Sequence, residues 1–373
     1  MPTAGGSPPT AVSRRPACSA VSYHHALAVI PGDGIGLEVV PAARALVDAV
    51  VRKDGGAITW TEHPWGCAFY LETGRMMDPD GLDQLRGADA IFLGAVGAPS
   101  VPDHVSVWEL ILPIRQHFEQ YVNLRPMRLL PGIRSPLTGR GPADIDMVCV
   151  RENSEGEYAG VGGRLHPGTP HEVAEQTGVF TRRGTERIVR YAFELAAARP
   201  RRLLASATKS NALQHSMVMW DEVVEAVARD YPAVTARKYH IDALAARMVT
   251  HPQTLDVIVG SNLFGDILTD LGAAVSGSLG VAPGANINPS REHPSMFEPI
   301  HGSAPDIAGR GIANPIGAIW AGAMMLEHLG HPEPAAGLLS AIVSLLAEGE
   351  IRTADLGGTA TTTDVTAALL ARI

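Results

Sequence analysis

The chain has 373 residues, 46% of them hydrophobic and 18% charged, with a formal charge of −9. That profile fits a globule with a large interior and excludes a disordered or coiled-coil chain, while the acidic balance argues against a nucleic-acid binder. Its three cysteines, Cys18, Cys67 and Cys149, lack metal or redox spacing and are odd in number, so a reducing cytoplasmic setting is expected.

Residues 1–22 are rich in Pro, Ser, Ala and Gly, a composition that builds no core and predicts a flexible tail. A secretory signal would need an apolar stretch of about 7–15 residues, which this segment lacks; a transit peptide is the minor alternative. No window approaches the ~18 apolar residues of a membrane span. The first ordered signal is a strand at Ala26–Ile30, ended by Pro31 and the Gly-Asp-Gly-Ile-Gly turn 32–36. A helix is predicted over Leu37–Val51, with Pro41 early in it. Further strands are predicted at Ala90–Leu93, Met147–Val150, Leu203–Ala205 and Val257–Val259, each followed by a turn and a helical pattern. The class is therefore α/β with a largely parallel sheet. Residues 155–178, rich in Gly and His, break the rhythm and suggest an extended arm for packing on another subunit.

Gly32, Gly34 and Gly36 do not make a Rossmann phosphate loop, because the sixth position of Gly-x-Gly-x-x-Gly is Leu37. A tight strand-to-helix turn explains them equally well, and Asp33 adds little. More informative is the run from Val257 to Ser290, whose only charges are Asp266 and Asp270. Their spacing puts both carboxylates on one helical face. Flanked by Ile267, Leu268 and Leu271, that face is expected to be buried, where two unpaired acids would be costly; a face turned to solvent is the alternative. A divalent cation resolves the conflict, and oxygen donors suit Mg²⁺ or Mn²⁺ better than Zn²⁺.

Several strings agree in order. Ile30-Pro-Gly-Asp-Gly-Ile-Gly36, Asn123-Leu-Arg-Pro126, Val150-Arg-Glu-Asn-Ser-Glu-Gly-Glu-Tyr158, Ser261-Asn-Leu-Phe-Gly-Asp266 and Glu298-Pro-Ile-His-Gly-Ser-Ala-Pro-Asp306 together resemble the β-decarboxylating dehydrogenases, the family of isocitrate, 3-isopropylmalate, tartrate and D-malate dehydrogenases. The resemblance runs from about His24 to the C-terminus. It implies a non-Rossmann two-domain fold with a cleft between the domains. Residues 23–122 and 280–373 would form the large cofactor-binding domain, and 123–279 the substrate and dimerisation domain. It also implies a homodimer with sites shared between chains.

By the same resemblance, Arg115, Arg125 and Arg151 bind the substrate carboxylates, a task suited to guanidinium forks. Asp266 and Asp270 are matched to metal ligands, with Asp242 arriving from the other subunit. Lys209 and Tyr158 are matched to the base and acid: Lys209 takes the hydroxyl proton as hydride leaves C2, and Tyr158 returns a proton to C3 after CO₂ departs. Ile35, His301, Gly302, Ser303, Ala304, Asp306, Ile307 and Asn314 are matched to cofactor contacts. Asp306 followed by Ile307 implies NAD over NADP, since a carboxylate accepts from the ribose hydroxyls and repels a 2′-phosphate. For Asn314, an Asx turn before Pro315 is the alternative. The resemblance leaves room for a K⁺ requirement.

Substrate choice in this family depends on the stretch Val107–Ile114. Glu109 and Ile111 stand where isocitrate enzymes carry Ser and Asn, which disfavours a third substrate carboxylate. Leu110, Ile111 and Leu112 are compatible with an apolar wall for 3-isopropylmalate. The strings Val101–Trp108, Glu119–Arg125, Thr181–Thr185 and Ala207–Asn211 instead look most like the tartrate and D-malate enzymes, although Glu109 and Pro113 depart from them. The expected activity is oxidation, with or without decarboxylation, of a small D-2-hydroxy dicarboxylate. 3-Isopropylmalate is the runner-up substrate. A catalytically silent regulatory homologue is the alternative of another class, and the full set of matched Arg, Lys, Tyr and Asp residues argues against it.

Overall fold

The structure, a computed structural model, describes residues 23–373, so the expectation of a flexible tail at 1–22 lies outside the described residues. The strands are β1 (His24–Gly32), β2 (Ala57–Glu62), β3 (Ala90–Ala95), β4 (Val122–Arg128) and β5 (Asp146–Glu152). A hairpin follows, β6 (Gly156–Leu165) and β7 (Val173–Val179), then β8 (Leu203–Thr208), β9 (Thr235–His240) and β10 (Val257–Gly260). β11 (Pro283–Ile287) and β12 (Ser295–Pro299) come last. All strands but the hairpin form one ten-stranded sheet in the order β2-β1-β3-β12-β11-β4-β5-β10-β8-β9.

Each strand predicted from an apolar run is present. The sheet is parallel in both flanks, while its centre is antiparallel: β12 with β11, β11 with β4, and β4 with β5. Three reversals make the two parallel flanks run in opposite directions. Apolar runs mark strands without marking their direction, which is why the sequence alone suggested a largely parallel sheet. Strands from 24–95 and 283–299 build one flank and strands from 122–260 the other.

Helices cover both faces. Gly36–Lys53 packs against Ile316–His328 on the first flank; Pro41 lies inside it in the second turn, where the Leu37 carbonyl loses the N–H that would bond to it. On the second flank, Arg182–Ala198 and Asn262–Val275 enclose β5 between them, and β5 is buried almost throughout. A large apolar core runs through both flanks. A smaller one gathers Trp65, Leu110, Phe118 and Met296. The hairpin stands out from the sheet with Val161, Leu165 and Val173 exposed. Among the described residues no helix is long and apolar enough to cross a membrane.

Asp33 does more than the sequence suggested. It is buried, and its carboxylate accepts from the backbone N–H groups of Cys67 and Gly97, tying the β1 turn to the next helix. The bond from Cys67 satisfies a donor at a helix start that would otherwise be orphaned, and the bond from Gly97 ties in the loop after β3.

Candidate active site

The arginines are placed by strand register. Asn123 on β4 lies opposite Arg151 on β5, so Arg125, two residues along β4, shares a face of the sheet with Arg151. The helix Asn262–Val275 crosses that face. Gly265 makes the approach possible: a Cβ there would stand 2.5 Å from the Arg151 side chain. Ser261 caps the helix by accepting from the Phe264 N–H.

Asp266 is the hub of the cluster. Arg151, with only 2% of its surface exposed, donates to Asp266 Oδ1, and its Nε and Nη2 donate to Asn262 Oδ1 at 3.1 and 2.7 Å. Arg125 Nη1 donates to Thr269 Oγ1 at 2.7 Å and to Asp266 Oδ1 at 3.4 Å, and lies 3.9 Å from Asp270. The Tyr158 hydroxyl donates to Asp266 Oδ2 at 3.3 Å, with the Arg151 guanidinium over its ring. Burial, then the charge of Arg125, pulls Arg151 down to about 10 against the opposing pull of Asp266. It therefore stays protonated near neutrality. Burial and then Asp266 push the Tyr158 phenol above its usual value, which keeps it a proton donor.

The acidic face is not buried as expected. Leu268 is enclosed, but Ile267 is 55% exposed and the Asp270 side chain 66% exposed. Asp266 is also paired, to two arginines, so the two carboxylates are not left unpaired in a core. Partial desolvation, then Asp266, raises the Asp270 carboxyl, with Arg125 opposing. Asp266 and Asp270 fit a hard divalent cation as a partial donor set. Among the described residues no group of three His, Cys, Asp or Glu side chains could hold a metal.

Asp242 and Lys209 form a pair of their own. Lys209 Nζ donates to Asp242 Oδ1 at 2.7 Å, which holds the Asp242 carboxyl below its ordinary range. They follow β8 and β9, and among the described residues no hydrogen bond or ion pair joins them to Asp266.

Arg115 lies in the helix Leu112–His117 and donates to Glu298 Oε1 at 2.7 Å. The Nε atoms of Arg115 and Arg125 are enclosed and find no acceptor in the chain. Both arginines thus keep a buried donor that a carboxylate could use. The preceding segment, Val107–Ile111, is a π-helical turn. Pro113 explains it: in a regular α-helix its ring would meet the carbonyl of Glu109, and the widened turn relieves that clash. The extra residue alters which side chains face inward. Leu110 is fully enclosed in the smaller core and Leu112 is buried, so the apolar wall weighed for the runner-up substrate, 3-isopropylmalate, offers no open leucine surface. Ile111 is half-buried, and Trp108 remains 41% exposed. Burying Leu110 contributes about 2 kcal/mol to the fold.

The segments matched to the cofactor converge. Ile35 N–H donates to Ser303 O at 2.9 Å, and Glu38 Oε1 accepts from Gly309 N–H at 2.6 Å. Gly34, at φ +54°, leaves room for this: a Cβ there would stand 2.1 Å from Ser303 O. Gly302 and Asp306 are exposed on that loop, Ser303 is buried, and His301, Ala304 and Ile307 are partly buried. Burial holds the His301 imidazole below its ordinary value. Asn314 is committed within the chain: its Oδ1 accepts from Ile316 N–H in an Asx turn, and its Nδ2 donates to Asp355. Sequence reasoning missed Asn262, Thr269, Glu298 and Asp355. Thr269, one turn after Asp266, was visible as a same-face neighbour; the others needed three dimensions.

A family model described as isocitrate/isopropylmalate dehydrogenase matches residues 26–369. The chain belongs to that family. It is 56% identical over 344 residues to a probable tartrate dehydrogenase/decarboxylase of Agrobacterium vitis, covering 92% of this chain and 96% of that protein. It is 53% identical over 350 residues to the decarboxylating D-malate dehydrogenase of Escherichia coli, covering 92% and 97%. Among solved structures, isocitrate dehydrogenase from Methylococcus capsulatus superposes with a TM-score of 0.84 at 36% identity, covering 93% of this chain and 99% of that one. The family fold is thus shared along nearly the whole chain.

Proposed function

We propose that this protein is a homodimeric dehydrogenase, dependent on NAD⁺ and on Mn²⁺ or Mg²⁺, that oxidises a small D-2-hydroxy dicarboxylate, tartrate or D-malate; D-malate would yield pyruvate and CO₂. The observation that carries this reading is the convergence of Arg125, Arg151 and Tyr158 on Asp266. Relatives named for tartrate and D-malate support the substrate class. The buried Leu110 weighs against an isopropyl-binding wall.

Arg115, Arg125 and Arg151 bind and orient the substrate carboxylates. Asp266 and Asp270, with Asp242 from a second copy of the chain, would hold the cation; when bound, it supplies Lewis acidity at the substrate oxygens while NAD⁺ accepts the hydride. Lys209 from that second copy takes the hydroxyl proton. Tyr158 holds the proton that C3 receives after decarboxylation. The exposed apolar side chains of the hairpin and Ile267 support burial against a second copy. Turnover is tested by following NAD⁺ reduction with D-malate and each tartrate isomer in the presence of Mn²⁺; no reduction with any of them would refute the reading.

Asp306 motivates a cofactor prediction. It is exposed on the loop that Ser303 fastens to the β1 turn. A 2′-phosphate brought there would meet a carboxylate, so kcat/KM should favour NAD⁺ over NADP⁺ by about 10²-fold. Equal use of both cofactors would mean that Asp306 lies away from the ribose.

A further inference from the structure

Asn286 is fully buried on β11 and belongs to no motif considered above. Register places Met296, Asn286, Asn123 and Arg151 side by side across β12, β11, β4 and β5, where the two flanks of the sheet meet. The orientation of the Asn286 amide is fixed by its neighbours. Glu298 as a carboxylate can only accept, so the NH₂ of Asn286 faces it, at 2.8 Å. Its Oδ1 then accepts from the Nδ2 atoms of Asn123 and Asn153, each at 2.9 Å. Glu298 Oε1 in turn accepts from Arg115, and Glu298 is the one ion partner of Arg115 among the described residues.

Burying such a cluster costs more than burying an apolar side chain of the same size. We propose that Asn286 is a positioning residue for Arg115: the buried amides hold Glu298, and Glu298 aims the guanidinium at the substrate. The proposal rests on the reading of Arg115 as a carboxylate-binding residue.

The test is Asn286→Asp, with KM for the hydroxy dicarboxylate measured from about pH 6 to about pH 9 beside wild type. A protonated Asp keeps the shape of Asn and still donates to Glu298. A charged Asp sets a second carboxylate against Glu298, and one of the two must take up a proton or turn away. The ratio of variant to wild-type KM should therefore rise about tenfold across this range, with a smaller change in kcat. A merely structural role would lower the melting temperature or the active fraction without giving KM that slope. Asn286→Ala, which removes the donor without adding charge, should raise KM at every pH. It decides the matter if the Asp variant does not fold, and an unchanged KM there overturns the proposal. Arg115→Ala separates the two failures. If it raises KM while Asn286→Asp gives a flat ratio, the positioning role is wrong; if it leaves KM unchanged, the carboxylate reading of Arg115 has failed and the proposal falls with it.

Discussion

Asp266→Asn is expected to lower kcat/KM by on the order of 10³-fold, and a strong chelator should abolish turnover of the wild-type enzyme until Mn²⁺ or Mg²⁺ is restored. The size of the effect follows from the hub geometry: one carboxylate faces Arg125, Arg151 and Tyr158 and is also a proposed cation ligand. The fold should survive. The amide oxygen of Asn still accepts from Arg151, while its NH₂ cannot accept from Tyr158, so the losses are the charge and that one long hydrogen bond. With the Asp266 side chain 36% exposed, the interaction is partly screened and should cost about 1–2 kcal/mol. A fall in Tm of roughly 1–3 °C would accompany it. Full activity in excess chelator would remove the cation from the account.

Lys209→Ala and Arg125→Ala chains should each be inactive alone, yet co-expression should restore activity. Among the described residues the Lys209–Asp242 pair has no hydrogen bond or ion pair to the Asp266 cluster. If a second copy delivers that pair, a mixed dimer contains one site with both lesions and one with neither, and so turns over at about half the wild-type rate per dimer. Purified heterodimers as inactive as either parent would mean that each site is built within a single chain.

Much of the fold was legible because apolar runs such as Ala26–Ile30 and Val257–Val259 sit between turn residues, and the structure extends the predicted strands by at most three residues at either end. Strand direction was not legible, since neither β4 nor β11 carries a local mark of running against its neighbours. The charged residues of the site were visible as members of strings, and Asp266 and Asp270 as isolated charges in a neutral segment. Their environment was misread. Ile267 is apolar yet exposed, and apolar character alone does not say whether the cover comes from the chain's own core. Which side chains before Arg115 face inward was not legible for a different reason: a helical period assumes 3.6 residues per turn, and the π-helical turn at Val107–Ile111 carries an extra residue that such a pattern does not reveal. Glu298 lay inside a quoted string, but its partnership with Arg115 joins residues 183 positions apart.

The substrate claim is tested most directly by kcat/KM for D-malate, the tartrate isomers, 3-isopropylmalate and isocitrate, all with NAD⁺ and Mn²⁺. D-malate or a tartrate should lead, with 3-isopropylmalate lower because Leu110 is committed to the core, and isocitrate lower still beside Glu109. The highest kcat/KM with 3-isopropylmalate would contradict the account and leave Ile111 and Trp108 as the side chains to examine for contact with the alkyl group.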